Sequence, residues 1–189
     1  SGDGAADNDI RDRNLGMAFR RLLTLAAAVT AMGLSPIHAT ALQAAPKAAI
    51  FPFDIRDVEQ EGELIPQLKD DDLRRMKLVA DELANLMKKE NTYEVVDLTP
   101  LAKEVEAASP FAKCDGCEVE IAKKAGADLA VTGYVDKLSD ALISLQLFAR
   151  ETQSGKLVKS MSAEIRGNTD ELWLHGIRWL WRNRFNAPP

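Results

Sequence analysis

The sequence predicts an α/β (α+β) domain in which helices pack on a mixed sheet of about five strands, in the order β-α-β-α-α-β-β-β-α. Two observations predict this class. Short apolar segments with the two-residue periodicity of strands alternate with segments that have the 3.6-residue periodicity of helices. The last three strand segments follow one another across short connections, which predicts an antiparallel meander towards the carboxyl terminus.

The first half of the domain contributes two strands and two helices. Pro52 lies within the first strand segment and is expected to end its ladder or to lie at a bulge. Asp70 opens the clearest helix, since carboxylates suit the positive end of a helix dipole. The predicted strands are residues 47–55 and 93–98, and the predicted helices are residues 70–89 and 101–108. The positions of the first helix that are predicted to be buried are Leu73, Met76, Ala80, Leu83, Leu86 and Met87.

The second half contributes the meander and two further helices. The apolar residues Ile143, Leu145, Leu147 and Ala149 alternate with the polar residues Ser144, Gln146 and Arg150, which predicts one buried and one wet face. Asn168, with Glu171 three residues later, predicts the start of the last helix through a capping box. The predicted strands are residues 128–138, 141–152 and 157–166, and the predicted helices are residues 118–125 and 168–185.

The amino-terminal residues have the order of a secretory signal. Arg20 and Arg21 precede an apolar stretch, residues 22–34, which is too short to span a bilayer, and small residues follow at 39–41. We therefore predict a signal peptide at residues 17–44, cleaved after Ala41 or Ala44. The remaining predictions are a cloning remnant or over-long gene start at residues 1–16, and a single periplasmic domain at residues 45–189 without a stable membrane anchor after cleavage.

Composition and motifs limit the function classes. A formal net charge of −5 makes the protein a poor general binder of nucleic acid or anionic lipid. No nucleophile elbow and no phosphate-binding glycine-rich loop is found, so we assign no catalytic residue and no cofactor. The acidic residues of the loop after the first strand are expected to be solvated rather than to bind calcium; they are Asp54, Asp57, Glu59, Glu61 and Glu63.

Cys114 and Cys117 are the only cysteines, and three interpretations of them remain open. In an oxidising compartment they are expected to form a structural disulfide that fixes the start of the following helix. A redox-active pair would need a stabilised thiolate, which Asp115 and Glu118 would disfavour by their negative charge. A zinc or copper site would need further ligands, and His175 is the only histidine of the predicted mature domain.

The last helix has an unusual concentration of tryptophan. Trp173, Ile177 and Trp181 share one face and are expected to dock the helix onto the sheet. Trp179 lies off that face. Together with Arg178 and Arg182 it forms a candidate partner-binding patch, since tryptophan and arginine are favoured anchors of protein interfaces.

These segments resemble a family of exported bacterial proteins known as a domain of unknown function, of the 2380/3280 type. The resemblance covers residues 47–185 and rests on the stretches AIFPFDI, YEVVDL, CDGCEVEIAKKAGADLAVTGYVDKLS and IRGNTDELWLHGIRWL. The order of elements is also similar to the amino-terminal domain of TolB, to lipoprotein activators of penicillin-binding proteins and to the curli secretion protein. That similarity implies an envelope protein that binds or assembles rather than catalyses.

The leading hypothesis is therefore a non-catalytic periplasmic binding or scaffolding domain. It would hold an envelope protein partner with the wet face or edge of its sheet and with the Trp/Arg-rich last helix, and it could also form a homo-oligomer. The alternative is a thiol-disulfide or metal-handling accessory protein that works through Cys114 and Cys117.

Overall fold

A seven-stranded mixed sheet forms the centre of the molecule. The computed structural model describes residues 44–57, 63–64, 70–139 and 141–187, which fall within one compact unit, Leu42–Pro189. The strands are β1 (Lys47–Ile50), β2 (Asp54–Asp57), β3 (Glu63–Leu64), β4 (Glu94–Val95), β5 (Leu129–Ser139), β6 (Leu142–Glu151) and β7 (Leu157–Arg166). The helices are α1 (Asp70–Lys89), α2 (Ala102–Ala108), α3 (Cys117–Lys124) and α4 (Asp170–Leu180), and a π-helical turn, Trp181–Phe185, continues α4.

The predicted fold class is confirmed, and the predicted first strand is divided in two. β1 and β2 lie end to end along one edge of β5, and both run parallel to it. Ile50 lies opposite Val131 and Asp54 opposite Tyr134, so the β1–β2 strand has one residue more than β5 over this stretch. Pro52 lies in this bulge, where its missing N–H costs no ladder hydrogen bond.

The outer strands complete the sheet around this central pair. β4 pairs parallel with β1, and the short β3 pairs antiparallel with β2. On the other side of β5, β6 and β7 form the predicted antiparallel meander. Among the described residues, β7 pairs only with β6 and is therefore an edge strand.

Two apolar layers cover the two faces of the sheet. The larger layer joins α1 and α4 to the inward side chains of β5, β6 and β7. The smaller layer joins α2 and α3 to Ala49, Phe51 and Ala130. The predicted docking residues of the last helix, Trp173, Ile177 and Trp181, are fully buried in the larger layer, as expected.

α1 and α4 run parallel, and polar contacts join them at three levels. Near the start, Asp170 accepts hydrogen bonds from Arg74 (2.9 Å) and Arg75 (2.9 Å). In the middle, Arg178 Nε donates to Glu82 (2.6 Å), and near the end Asn186 donates to Glu90 (2.9 Å). The partners are 96 residues apart in sequence at each level, so the two helices stay in register along their length.

Two local predictions were wrong. Leu73 is 48% exposed, because the buried stripe of α1 begins one residue earlier, at Asp72, whose carboxylate forms a buried ion pair with Lys137 of β5 (3.2 Å). The N-cap of α4 is Thr169, which accepts a hydrogen bond from Leu172 N–H (3.4 Å). Asn168 instead accepts one from the indole N–H of Trp173 (3.0 Å), so it orients a core side chain rather than capping the helix.

Some predictions lie outside the described residues. They include residues 1–16, nearly all of the predicted signal peptide (residues 17–43), and the loop carboxylates Glu59 and Glu61. None of the described helices combines the length and the apolar character that crossing a bilayer would require.

Candidate functional site

The outer edge of β7 has backbone groups that no strand in the described part of the chain pairs with. Gly167 N–H donates to the carbonyl of Ala141 (2.7 Å) just beyond the strand, which fixes the alternation of the β6–β7 ladder. By this alternation the odd-numbered residues of β7 bond to β6. The N–H and C=O groups that point away from the sheet belong to Ser160, Ser162, Glu164 and Arg166.

A groove of about 530 Å³ runs between β7 and α4, next to this edge. Gly176 makes the close packing of the two elements possible, because a Cβ there would lie 2.7 Å from Ile165 Cδ1. Trp179 and Leu172 form apolar walls, and His175 lies on the same surface of α4. The lining residues are Ser162, Ala163, Glu164, Ile165, Arg166, Leu172, His175, Gly176 and Trp179.

The three residues of the predicted partner-binding patch, Trp179, Arg178 and Arg182, have different surroundings in the structure. Trp179 is half-buried and packs against the larger apolar layer while its ring lines the groove. Arg178 binds Glu82 of α1, and Arg182 is exposed. The guanidinium that stacks on the Trp179 ring is that of Arg184, 5.6 Å from the ring centroid. This contact could not be predicted from the sequence, because it depends on the π-helical turn.

The cysteines lie at the other face of the sheet, against the smaller apolar layer. Their sulfur atoms are at bonding distance, with Cα atoms 5.9 Å apart, and Cys117 begins α3. Arg150 of β6 forms ion pairs with both Asp115 (3.1 Å) and Glu118 (3.1 Å). One guanidinium therefore offsets only part of the negative charge that disfavours a thiolate, since two carboxylates share it.

The structure does not bring His175 together with Cys114 and Cys117, the three residues that the sequence offers as metal ligands. The ligand atoms that lie within 4.8 Å of one another are those of Cys114, Cys117 and the buried Glu118. His175 is exposed on α4, on the side of the sheet that carries the larger layer. No hydrogen-bond partner orients its ring among the described residues.

Asp54, the first of the predicted loop carboxylates, has a structural role. It accepts a hydrogen bond from the backbone N–H of Ala112 (2.9 Å), and burial raises its pKa above the ordinary value. It thereby ties β2 to the turn that leads into the cysteine loop. Burial also raises the pKa of the neighbouring Tyr134, whose hydroxyl donates to the carbonyl of Phe111 (3.3 Å).

Comparison with known proteins supports the family predicted from the sequence. Residues 46–185 match the family described as "Protein of unknown function (DUF2380)". No protein in a search of curated proteins matches the chain.

Several solved structures share part of the fold at low sequence identity. The LpoB carboxyl-terminal domain from Salmonella enterica is 14% identical, with a TM-score of 0.47 over 68% of this chain and 87% of that one. The lipoprotein GNA1162 from Neisseria meningitidis is 12% identical, with a TM-score of 0.46 over 66% and 82%. TolB from Acinetobacter baumannii is 12% identical, with a TM-score of 0.42 over 73% of this chain and 28% of that one. At these scores the likenesses support no inference about function.

Proposed function

We propose that this chain, which belongs to the family described as "Protein of unknown function (DUF2380)", is a non-catalytic binding domain that holds an extended segment of a protein partner in the cell envelope. The observation that carries the proposal is the unpaired edge of β7 beside the groove that Trp179 lines. A long, exposed strand edge is a template for pairing with another chain and therefore carries a risk of aggregation. Proteins normally protect such edges, so an unprotected one indicates a surface that binds a partner strand.

The edge and the groove supply the two parts of strand addition. The backbone groups of Ser160, Ser162 and Glu164 would bond to the added segment, which gives affinity without sequence preference. Side chains alternate across a strand, so every second residue of the segment would point towards α4 and the groove. Trp179 and Leu172 would then select an apolar residue at that position.

The charges around the groove favour an acidic segment. Arg166, Arg182 and Arg184 have no carboxylate partner among the described residues, whereas Arg178 is paired with Glu82. Of the described residues that line the groove, Glu164 is the carboxylate and Arg166 the guanidinium. Counting Glu164 and the exposed Glu171 against these three arginines leaves one positive charge at this corner of a protein of net charge −5, so the partner segment should combine an apolar residue with acidic neighbours.

A library of displayed ten-residue peptides tests the proposal. Peptides selected by the protein should be acidic with one apolar residue, and chemical shifts should change along β7 and around Trp179. Ser162→Pro should abolish binding because it removes an outward N–H that β6 does not use, while Ser162→Ala, the matched control, should preserve it. Trp179→Ala should weaken binding at least tenfold. Binding unaffected by Ser162→Pro would refute strand addition.

A second function, thiol-disulfide exchange or metal handling, is favoured by one observation. Arg150 offsets part of the negative charge beside the sulfurs, and Glu118 offers a third ligand atom. The reduction potential of the pair separates this function from the first. A value below about −300 mV marks a structural disulfide, whereas a potential near those of envelope oxidoreductases, or a stoichiometric metal, would favour the second function.

The envelope location is part of the proposal and has its own test. The protein is expected in the periplasmic fraction, with a mature amino terminus after Ala41 or Ala44. Cell fractionation measures the compartment, and mass spectrometry of the intact protein measures the position of the mature amino terminus. An intact leader on a cytosolic protein with two free thiols would contradict the location and the structural disulfide together.

A further inference from the structure

A second concave surface lies at the carboxyl-terminal end of β1, which β5 and β6 separate from β7 in the sheet. It is a cleft of about 650 Å³ between α1 and α2. Its floor contains residues of both apolar layers: Ile50, Phe53 and Met76 belong to the larger one, and Phe51 and Val105 to the smaller one. The cleft therefore lies across the end of the sheet, where the two layers separate.

The topology explains why a cleft forms here. β1 has β4 on one side and β5 on the other, both parallel to it. α1, which follows β3, packs on one face of the sheet, and α2, which follows β4, packs on the opposite face. Such a switch point leaves a crevice outside the carboxyl ends of the strands, which is where open α/β sheets bind ligands.

The walls of the cleft are suited to an apolar molecule. The bulge at Phe51–Phe53 presents an exposed proline, Pro52, at the base of the cleft, beside the half-buried side chains of Ile50 and Leu98. Leu73, on the first turn of α1, leaves 48% of its surface exposed at the rim. A volume of about 650 Å³ lies in the range of roughly 300–1,000 Å³ that is typical of small-molecule pockets.

The rim determines the charge of the ligand. Lys77 is neutralised by Asp81, with 2.6 Å between Nζ and Oδ2. Glu106, on the α2 side, has no ion-pair partner among the described residues. The hydroxyls of Thr99 and Ser109 are already donated, to Asp97 (2.6 Å) and to the carbonyl of Val105 (2.8 Å). Among the described residues that line the cleft, Glu106 is thus the one unpaired charge.

We propose that this cleft binds a small amphiphile with one apolar body and one cationic amine, the body lying on Pro52, Leu73 and Leu98 and the amine meeting Glu106. The site is separate from the β7 edge, so it neither requires nor excludes the strand-addition function. It adds a small-molecule ligand to a domain otherwise proposed to bind a polypeptide segment.

Three probes of equal chain length test the proposal: octylammonium, octanol and octanoate, titrated into the isotope-labelled protein. The amide chemical shifts of Leu73, Ala102 and Glu106 should change at a lower concentration of octylammonium than of the other two probes. Its dissociation constant should be lower than that of octanol by about two- to fivefold, the size of an exposed ion pair. Octanoate should bind more weakly than octanol. Glu106→Gln should bring octylammonium and octanol to equal affinity.

A second experiment blocks the cleft with a large side chain. Ala102 is exposed and lines the cleft, whereas Ala107 is exposed on the same helix and does not line it. Ala102→Trp should abolish binding of all three probes, and Ala107→Trp should leave it unchanged, with the amide spectrum confirming that each variant is folded. Octylammonium binding that survives Ala102→Trp, or octanoate binding as tightly as octylammonium, would overturn the proposal.

Discussion

At the scale of the residue, single atoms decide how closely the elements approach. Gly133 in the middle of β5 is one example, because a Cβ there would lie 2.4 Å from three atoms of the Phe53 ring. Phe53 is 5% exposed and follows the bulge at Pro52. Gly176 has the corresponding role for α4 against Ile165. Glycine is needed at these two positions because a neighbouring side chain leaves no room for a Cβ atom, and not because of the backbone conformation.

Gly133→Ala should therefore destabilise the domain by about 1–3 kcal/mol, the usual cost of overpacking a buried site. Urea unfolding at neutral pH measures the change. Adding Phe53→Leu should recover part of the loss, because the smaller side chain vacates the space that the new methyl group needs. Equal stability of Gly133→Ala and the parent protein would show that the ring moves aside at no cost.

The cysteine loop is also a residue-scale feature with a local effect. Closing a loop of four residues removes little chain entropy, so reduction should lower the global unfolding free energy by at most about 2 kcal/mol. The visible change should be faster hydrogen exchange at the start of α3, where Val119 N–H bonds to the carbonyl of Gly116 (3.0 Å). Exchange with and without a reducing agent measures it. Global unfolding on reduction would contradict this account.

At the scale of the element, the parallel pair of α1 and α4 carries the larger layer. The polar contacts at its three levels set the register of the pair, and the buried stripes beneath them supply the apolar contact. Asp170 joins the two helices at their first turns. Its hydrogen bonds to Arg74 and Arg75 lower its pKa from 3.8 to about 2.

Asp170→Asn should therefore reduce stability at neutral pH. A carboxyl group whose pKa is lower in the folded state stabilises that state above its unfolded pKa, and this contribution is lost as the pH falls. The difference between the parent protein and Asp170→Asn should be constant above pH 5 and should shrink between pH 4 and about 2. Denaturation midpoints of both proteins across this range measure it. A difference independent of pH would assign the effect to packing instead.

At the scale of the whole molecule, periodicity predicted most of the architecture. The alternation in β6 and the helical stripe of α4 identified the faces that are buried. Two features could not be predicted, because each depends on a partner distant in sequence. The division of the first strand depends on its register with β5. The burial of Asp72 depends on its ion pair with Lys137.

The candidate site was predictable only in part. Trp179 was singled out because it lies off the apolar stripe of its helix, and it does line the groove beside β7. The unpaired edge and the contact of Arg184 with Trp179 depend on the sheet order and on the π-helical turn. Neither leaves a periodic pattern in the sequence. The cleft at the end of β1 likewise arises only when both layers are in place.

Photo-crosslinking in the native host tests the central claim most directly. A crosslinking amino acid at Glu164, on the free edge, should yield a discrete adduct with one envelope protein, and the same group at Glu120, on the exposed side of α3, should not. Ser162→Pro should remove the Glu164 adduct while Ser162→Ala retains it. If the Glu164 adduct persists in Ser162→Pro, or if both positions give the same products, the edge of β7 is not where this protein holds its partner.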